Sequence, residues 1–291
     1  MKPFDFALYG LVVLGWSSSW LPLKWQVGSI APEVSLIWRF ALAGALMFLL
    51  GWVTRRRLRL PLWGHGVAAL MGVFLFSTNF ALFYYASTSL ASGLLAVVFA
   101  SASLLNLFYS AAVFRTPIRA LGLLAAVMGF GGIVLLFLPE ITGSWTTVGA
   151  MGLCLLGTMS FCTGNMISTA AQRRDLPVIG TTAWGMLYGA GFMVVVSLLR
   201  GHEFGIELSW RYIGGGLWLA VFSSVVAFSS YLTLLGRIGA SRAAYATAIF
   251  PPFALLISTA AEGYQWSGYA FMGLPMVLLG IIIINLRAAR A

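Results

Sequence analysis

The sequence predicts an all-α polytopic membrane protein. Ten transmembrane helices are expected, arranged as two inverted five-helix repeats around a central cavity. Three observations predict this. The 291 residues are 60% hydrophobic and only 8% charged, with a mean hydropathy of +0.95, whereas a soluble domain carries about 25% charged residues. Charge-poor stretches recur along the whole chain. The basic residues sort to alternate loops.

The elements follow in order. A bilayer core of roughly 30 Å needs about 20 helical residues. The first half, residues 1–144, is expected to hold helices at about 5–23, 34–54, 65–86, 91–114 and 119–138. The long apolar stretch 60–114 is divided at "ASTSLASG", residues 86–93, whose small polar residues make a turn. The second half, residues 145–291, is expected to hold helices at about 148–171, 177–199, 211–235, 241–261 and 267–287. The alternating ten-residue segments of a transmembrane β-barrel are not evident. The first apolar stretch has no A-x-A-like cleavage site after it and reads as a retained helix.

Charge sets the orientation. With both termini cytoplasmic, 13 of the 17 basic residues fall inside; Lys24, Arg39, Arg200 and Arg211 fall outside. This is the positive-inside bias. It accounts for the net charge of +10 as topology and contact with anionic headgroups, and argues against a nucleic-acid partner. Membrane lipid is the expected surrounding, the bacterial inner membrane the expected location. Cys154 and Cys162 are eight residues apart, roughly 12 Å along a helix, too far for a disulfide within it; they read as buried thiols.

Weak internal similarity supports the two halves. "GLVVLGW" from Gly10 matches "GLCLLGT" from Gly152, and "LASGLLAVVFASASLL" from Leu90 matches "GASRAAYATAIFPPFALL" from Gly239. Five helices per copy is an odd number, so the second copy enters the membrane inverted. Such repeats mark secondary transporters, with substrate held near the midplane.

Polar groups facing lipid are costly, so they are expected to face the bundle interior. The substrate-binding candidates are Trp16, Ser17 and Ser18 in the first helix; Asn79 and Phe83 in the third; Ser103 and Asn106 in the fourth; Thr158 and Asn165 in the sixth; and Tyr245 in the ninth. Hydroxyls beside an indole suit an amphipathic wall, because they offer hydrogen bonds without charge and a flat apolar face. Pro251 and Pro252 lack donor N–H groups and are expected to break or kink the ninth helix. Lys24, Arg39 and Glu262 are expected near outer helix ends, where with the two prolines they could form a gate. The competing reading for each charge is snorkelling to the headgroups.

The pattern Gly15-Trp16-Ser17 ending in Lys24, Pro32 followed by Arg39, and Pro252 (or Pro251) followed by Glu262 resembles the drug/metabolite transporter superfamily, specifically its EamA-type ten-helix exporters. Within it the chain is most similar to bacterial exporters of aromatic amino acids. The resemblance implies export of a small-molecule substrate, without cofactor, metal or obligate protein partner. The first half departs from the pattern: Ser103 and Arg115 stand where a proline and an acid would repeat.

No G-x-x-x-x-G-K-[ST] motif is present, which excludes ATP-driven pumping by this chain alone. No ionisable group is evident at mid-membrane depth, so uniport is expected rather than proton coupling. An intramembrane enzyme would need a catalytic constellation at that depth, and the deep helices supply none. A broad drug or metabolite exporter with proton coupling is the alternative.

Overall fold

The computed structural model describes residues 3–115, 117–118, 120–141, 145–238 and 246–288. These residues are helical and contain no strand. They form ten rods: α1 (Pro3–Trp25), α2 (Pro32–Val53), α3 (Leu62–Ala86), α4 (Ser92–Phe114), α5 (Ala120–Ile141), α6 (Trp145–Gln172), α7 (Val178–Leu199), α8 (Trp210–Trp218, Leu219–Val226 and Ala227–Ile238), α9 (Ala246–Glu262) and α10 (Gly268–Ala288). Eight of the described rods, α1 to α8, are long and apolar enough to cross a membrane; the apolar parts of α9 and α10, Ile249–Glu262 and Gly268–Ile283, are shorter.

Local chemistry sets several starts. Pro32 occupies the first turn of α2, where a missing N–H costs nothing. Ser209 Oγ caps α8 by accepting from Tyr212 N at 3.2 Å, satisfying one of the orphan donors there.

The rods pack in definite pairs. α5 lies along α10, α2 along α7, and α4 along α9; α3 packs on α6 and α7, and α1 on α8 and α9. Close approach depends on glycine. A Cβ on Gly132 of α5 would meet Gly273 O of α10 at 2.6 Å, and one on Gly72 of α3 would meet Gly185 O of α7 at 2.7 Å. Small residues at such contacts let helix backbones touch in lipid.

Three rods depart from regular α-helix near the middle of the bundle. α1 breaks at Ser18 and Ser19. α3 widens into a π-helical segment at Phe74–Thr78, and α8 does so at Leu219–Val226. π segments re-aim side chains and occur often at functional sites. The looser turn in α3 is tied by side chains: Ser160 Oγ donates to Phe74 O at 2.8 Å, and Ser77 Oγ lies 2.7 Å from Gly72 O and 3.0 Å from Gly189 O.

The expected break in the ninth helix is not seen. α9 runs unbroken through Pro251 and Pro252. The prolines remove the donors that Thr247 O and Ala248 O would use, but their fixed φ is itself helical.

Candidate functional site

The two π segments and the break in α1 meet at a cavity of about 80 Å³, room for a handful of waters. Its wall is largely aromatic. Trp16 and Trp20 come from α1, Phe40 from α2, Phe76, Phe80 and Phe83 from α3, and Phe99 from α4. Phe161, Phe228 and Phe250 close it from α6, α8 and α9. The rings brace one another edge-on or tilted: Trp20 lies 5.3 Å from Phe83, Phe99 4.7 Å from Phe161, and Phe40 5.2 Å from Phe80, centroid to centroid. That spacing is the favourable one for aromatic pairs.

Few polar groups reach this wall, and several lack partners. Arg39 is 3% exposed and borders the cavity. Its Nε and Nη1 make no hydrogen bond of good geometry, Nη2 reaches Ser224 Oγ at 3.4 Å, and the buried Tyr84 hydroxyl interacts with the guanidinium. Its guanidinium carbon lies 4.3 Å from the Phe80 centroid and 4.9 Å from that of Phe40, so cation–π attraction supplies part of what hydration would. Asn79 Oδ1 and Trp20 Nε1 are also buried without partners. Ser19, Ser223 and Ser224 add hydroxyls. A buried cation left short of donors' partners is expensive, and intramembrane charges mark substrate paths.

A second constellation ties helix ends together at the end bearing Lys24. Lys24 Nζ lies 2.8 Å from Glu262 Oε1 and donates to Leu90 O at 3.2 Å. Glu262 Oε2 accepts from Ser92 N at 2.9 Å, from Ser258 Oγ at 2.8 Å, and from Ser92 Oγ. The end of α1, the start of α4 and the end of α9 are thereby joined through one carboxylate. At the same end Glu33 of α2 pairs with Arg200 and accepts from Tyr85 OH at 2.7 Å. In the neighbouring loop, Ser209 and Ser29 hydroxyls, each 2.6 Å away, hold the Glu207 carboxyl below its ordinary range.

The candidates from the sequence divide. Trp16, Asn79 and Phe83 line the cavity, and so does Arg39. Arg39 is therefore not beside Lys24 and Glu262; it lies seven residues into α2, about 10 Å along the axis. The structure thus sets one ionisable group, Arg39, against the cavity. It follows Pro32 by about two turns, and the fold buries it there against the cavity.

Ser17 and Ser18 are not in the cavity wall. Their hydroxyls donate to their own helix, Ser17 Oγ to Val13 O at 2.6 Å and Ser18 Oγ to Leu14 O at 2.5 Å, the usual economy of serines within helices. Ser19 lines the cavity instead. Thr158 is buried and donates to Cys154 O at 2.8 Å. Ser103, Asn106 and Asn165 are half-buried and do not line the cavity. Tyr245 lies outside the described residues. Pro251 is buried and Pro252 half-buried, one and two residues beyond the cavity-lining Phe250.

Sequence reasoning missed Trp20, Ser19, Phe40, Phe76, Phe80, Phe99, Phe161, Phe228 and Phe250. The spacing Phe76, Phe80, Phe83 places three rings on one helical face, and that regularity was available.

Comparison with known proteins agrees with a transport fold. The chain matches the EamA-like transporter family twice, over residues 6–138 and 148–286. It is 26% identical to the uncharacterized inner membrane transporter YedA of Escherichia coli K12, covering 98% of this chain and 92% of that protein. It is 24% identical to protein PagO of Salmonella typhimurium LT2, covering 95% and 91%, and 25% identical to the uncharacterized transporter YyaM of Bacillus subtilis 168, covering 89% and 86%. A solved crystal structure at 19% identity superposes with a TM-score of 0.69, covering all of this chain and 99% of the other.

Proposed function

This chain belongs to the EamA-like transporter family, and on that premise we propose that it exports small amphipathic carboxylates, aromatic amino acids foremost. The carrying observation is Arg39, a buried guanidinium with two nitrogens that make no hydrogen bond of good geometry, set in an aromatic wall. A carboxylate supplies acceptors for it in charge-assisted hydrogen bonds. A flat apolar body would pack between Trp16, Trp20 and the phenylalanines once the helices part, because the cavity of about 80 Å³ is smaller than an aromatic amino acid. Asn79 Oδ1 and the exposed ring faces can receive an ammonium group. The protein is a membrane transporter rather than an enzyme.

Alternating access between two inverted halves is the proposed mechanism, with ten crossings and both termini in the cytoplasm of an inner-membrane protein. The helix pairing supports it. Shifting helix numbers by five carries α2–α7, α4–α9 and α5–α10 onto themselves, and α3–α6 onto α8–α1. The two π segments, in α3 and α8, are counterparts under the same shift. Lys24, Glu262 and Ser92 join the halves and act as the outer gate. Pro251 and Pro252 leave α9 short of backbone bonds beside Phe250, where it can flex. The cavity's chemistry supports uniport: Arg39 does not give up its proton, and the described wall carries no other ionisable side chain.

The test is efflux from liposomes loaded with radiolabelled phenylalanine or tryptophan, without an ion gradient. Efflux above empty liposomes, lost in Arg39→Gln, is expected. Efflux only with an imposed proton gradient, abolished by Glu262→Gln, overturns uniport in favour of proton-coupled export.

A further inference from the structure

Arg39 borders a second cavity as well. This cleft, about 210 Å³, lies between α2 and α8 beside the link that precedes α8. Its outer walls are Trp38 and Leu42 on α2 and Ile213 and Leu217 on α8, all 37–49% exposed on the outside of the bundle. Each pair is four residues apart and so shares one helix face. Gly216 leaves the floor open; a Cβ there would lie 3.3 Å from Gln26 Oε1. The other polar groups of the lining are occupied: Gln26 donates to Tyr212 O, and Tyr212 OH pairs with Ser35 at 2.9 Å. Arg39, 97% buried from its exposure of 3%, is the charged group of this lining; its Nε and Nη1 make no hydrogen bond of good geometry, and Tyr84, its neighbour outside the cleft, is a neutral phenol.

We infer that this cleft binds single-chain amphiphilic carboxylates dissolved in the bilayer, with the carboxylate on Arg39 and the apolar chain between the α2 and α8 pairs. Charge complementarity selects an anion, and one guanidinium serves one carboxylate. Two apolar pairs at helical spacing make a slot for one chain. The inference rests on the transport reading in a single respect, that both ligands use Arg39. The cleft then offers a lateral route from the leaflet to the guanidinium that the central cavity shares.

The test uses the full chain in nanodiscs of zwitterionic lipid, with radiolabelled decanoate and phenylalanine as probes. Leu217→Trp fills the cleft from a lipid-facing position and does not touch the central cavity. It is expected to weaken decanoate binding by at least about tenfold while leaving phenylalanine binding within about twofold, and Arg39→Gln to lose both. Unchanged decanoate binding in Leu217→Trp overturns the inference, as does wild-type decanoate binding no stronger than that of Arg39→Gln. Decanoate binding that Leu217→Trp abolishes, with no phenylalanine binding to the wild type, upholds the cleft and overturns the aromatic amino-acid reading instead. Gly216→Val, which narrows the same floor from α8, is expected to reproduce the Leu217→Trp result.

Discussion

Two charged regions of this molecule are built in opposite ways. At the Lys24 end every oxygen of Glu262 is engaged, by Lys24, Ser92 and Ser258. In the cavity, Arg39 meets no carboxylate among the described residues: it has a long contact to Ser224, ring faces and the neutral Tyr84 hydroxyl. A satisfied ion pair holds elements together. An unsatisfied buried ion destabilises the resting protein, and a ligand that completes it recovers that cost as binding. On the proposed function, the difference gives closure to the first region and recognition to the second.

Changes in the cavity are expected to have the larger effects. Arg39→Gln should reduce phenylalanine efflux at least about 100-fold, with Arg39→Lys recovering part of it, since a lysine keeps charge but not the planar fork. Initial rates from loaded liposomes measure this. Equal rates in wild type and Arg39→Gln break the comparison outright. Trp16→Ala removes a ring that packs 5.3 Å from Tyr231 and 6.4 Å from Phe250. It should raise the half-saturating concentration about tenfold.

At the lock the effect is smaller, because Lys24 is 36% exposed and its pairing is screened. Lys24→Met should shift the closed population about fivefold. Maleimide labelling of Ser19→Cys from the outer face reads this, and the native thiols are buried. Labelling unchanged by Lys24→Met removes the gate assignment. The smallest effect concerns the exposed loop tie. Glu207 is held below its ordinary pKa, chiefly by Ser209 and then Ser29. A depressed carboxyl contributes stability above its unfolded value of about 4.3 and loses it as pH falls through the folded value. Ser29→Ala should move the Glu207 midpoint upward in a carbon-13 NMR titration and flatten the acid-side loss of stability. A midpoint that does not move dissolves the tie.

The membrane class and the helical rods were legible in composition, because a low-charge chain can hide its apolar surface only in lipid. Three of the ten binding candidates, Trp16, Asn79 and Phe83, line the cavity. Ser17, Ser18 and Thr158 stand outside the cavity wall for one physical reason. A helical hydroxyl can satisfy itself on the carbonyl four residues back, so a polar stripe in sequence need not face a polar space. The phenylalanines escaped notice because a ring on a membrane helix reads the same toward lipid, core or cavity. The π segments at Phe74–Thr78 and Leu219–Val226 shift the register that decides among them, and nothing in those residues announces a fifth-residue hydrogen bond. The sequence shows where Arg39 falls along its helix but not which face of α2 the fold turns toward the cavity.

The most direct test compares equilibrium binding of phenylalanine and phenylalaninol, which differ in the carboxylate alone, to wild type and Arg39→Gln in nanodiscs. The expected result is phenylalanine binding at least about 100-fold tighter to the wild type, about 2.7 kcal/mol, with the preference gone in Arg39→Gln. Equal binding of the two compounds to the wild type would contradict the assignment of Arg39 as the unfilled half of a substrate contact.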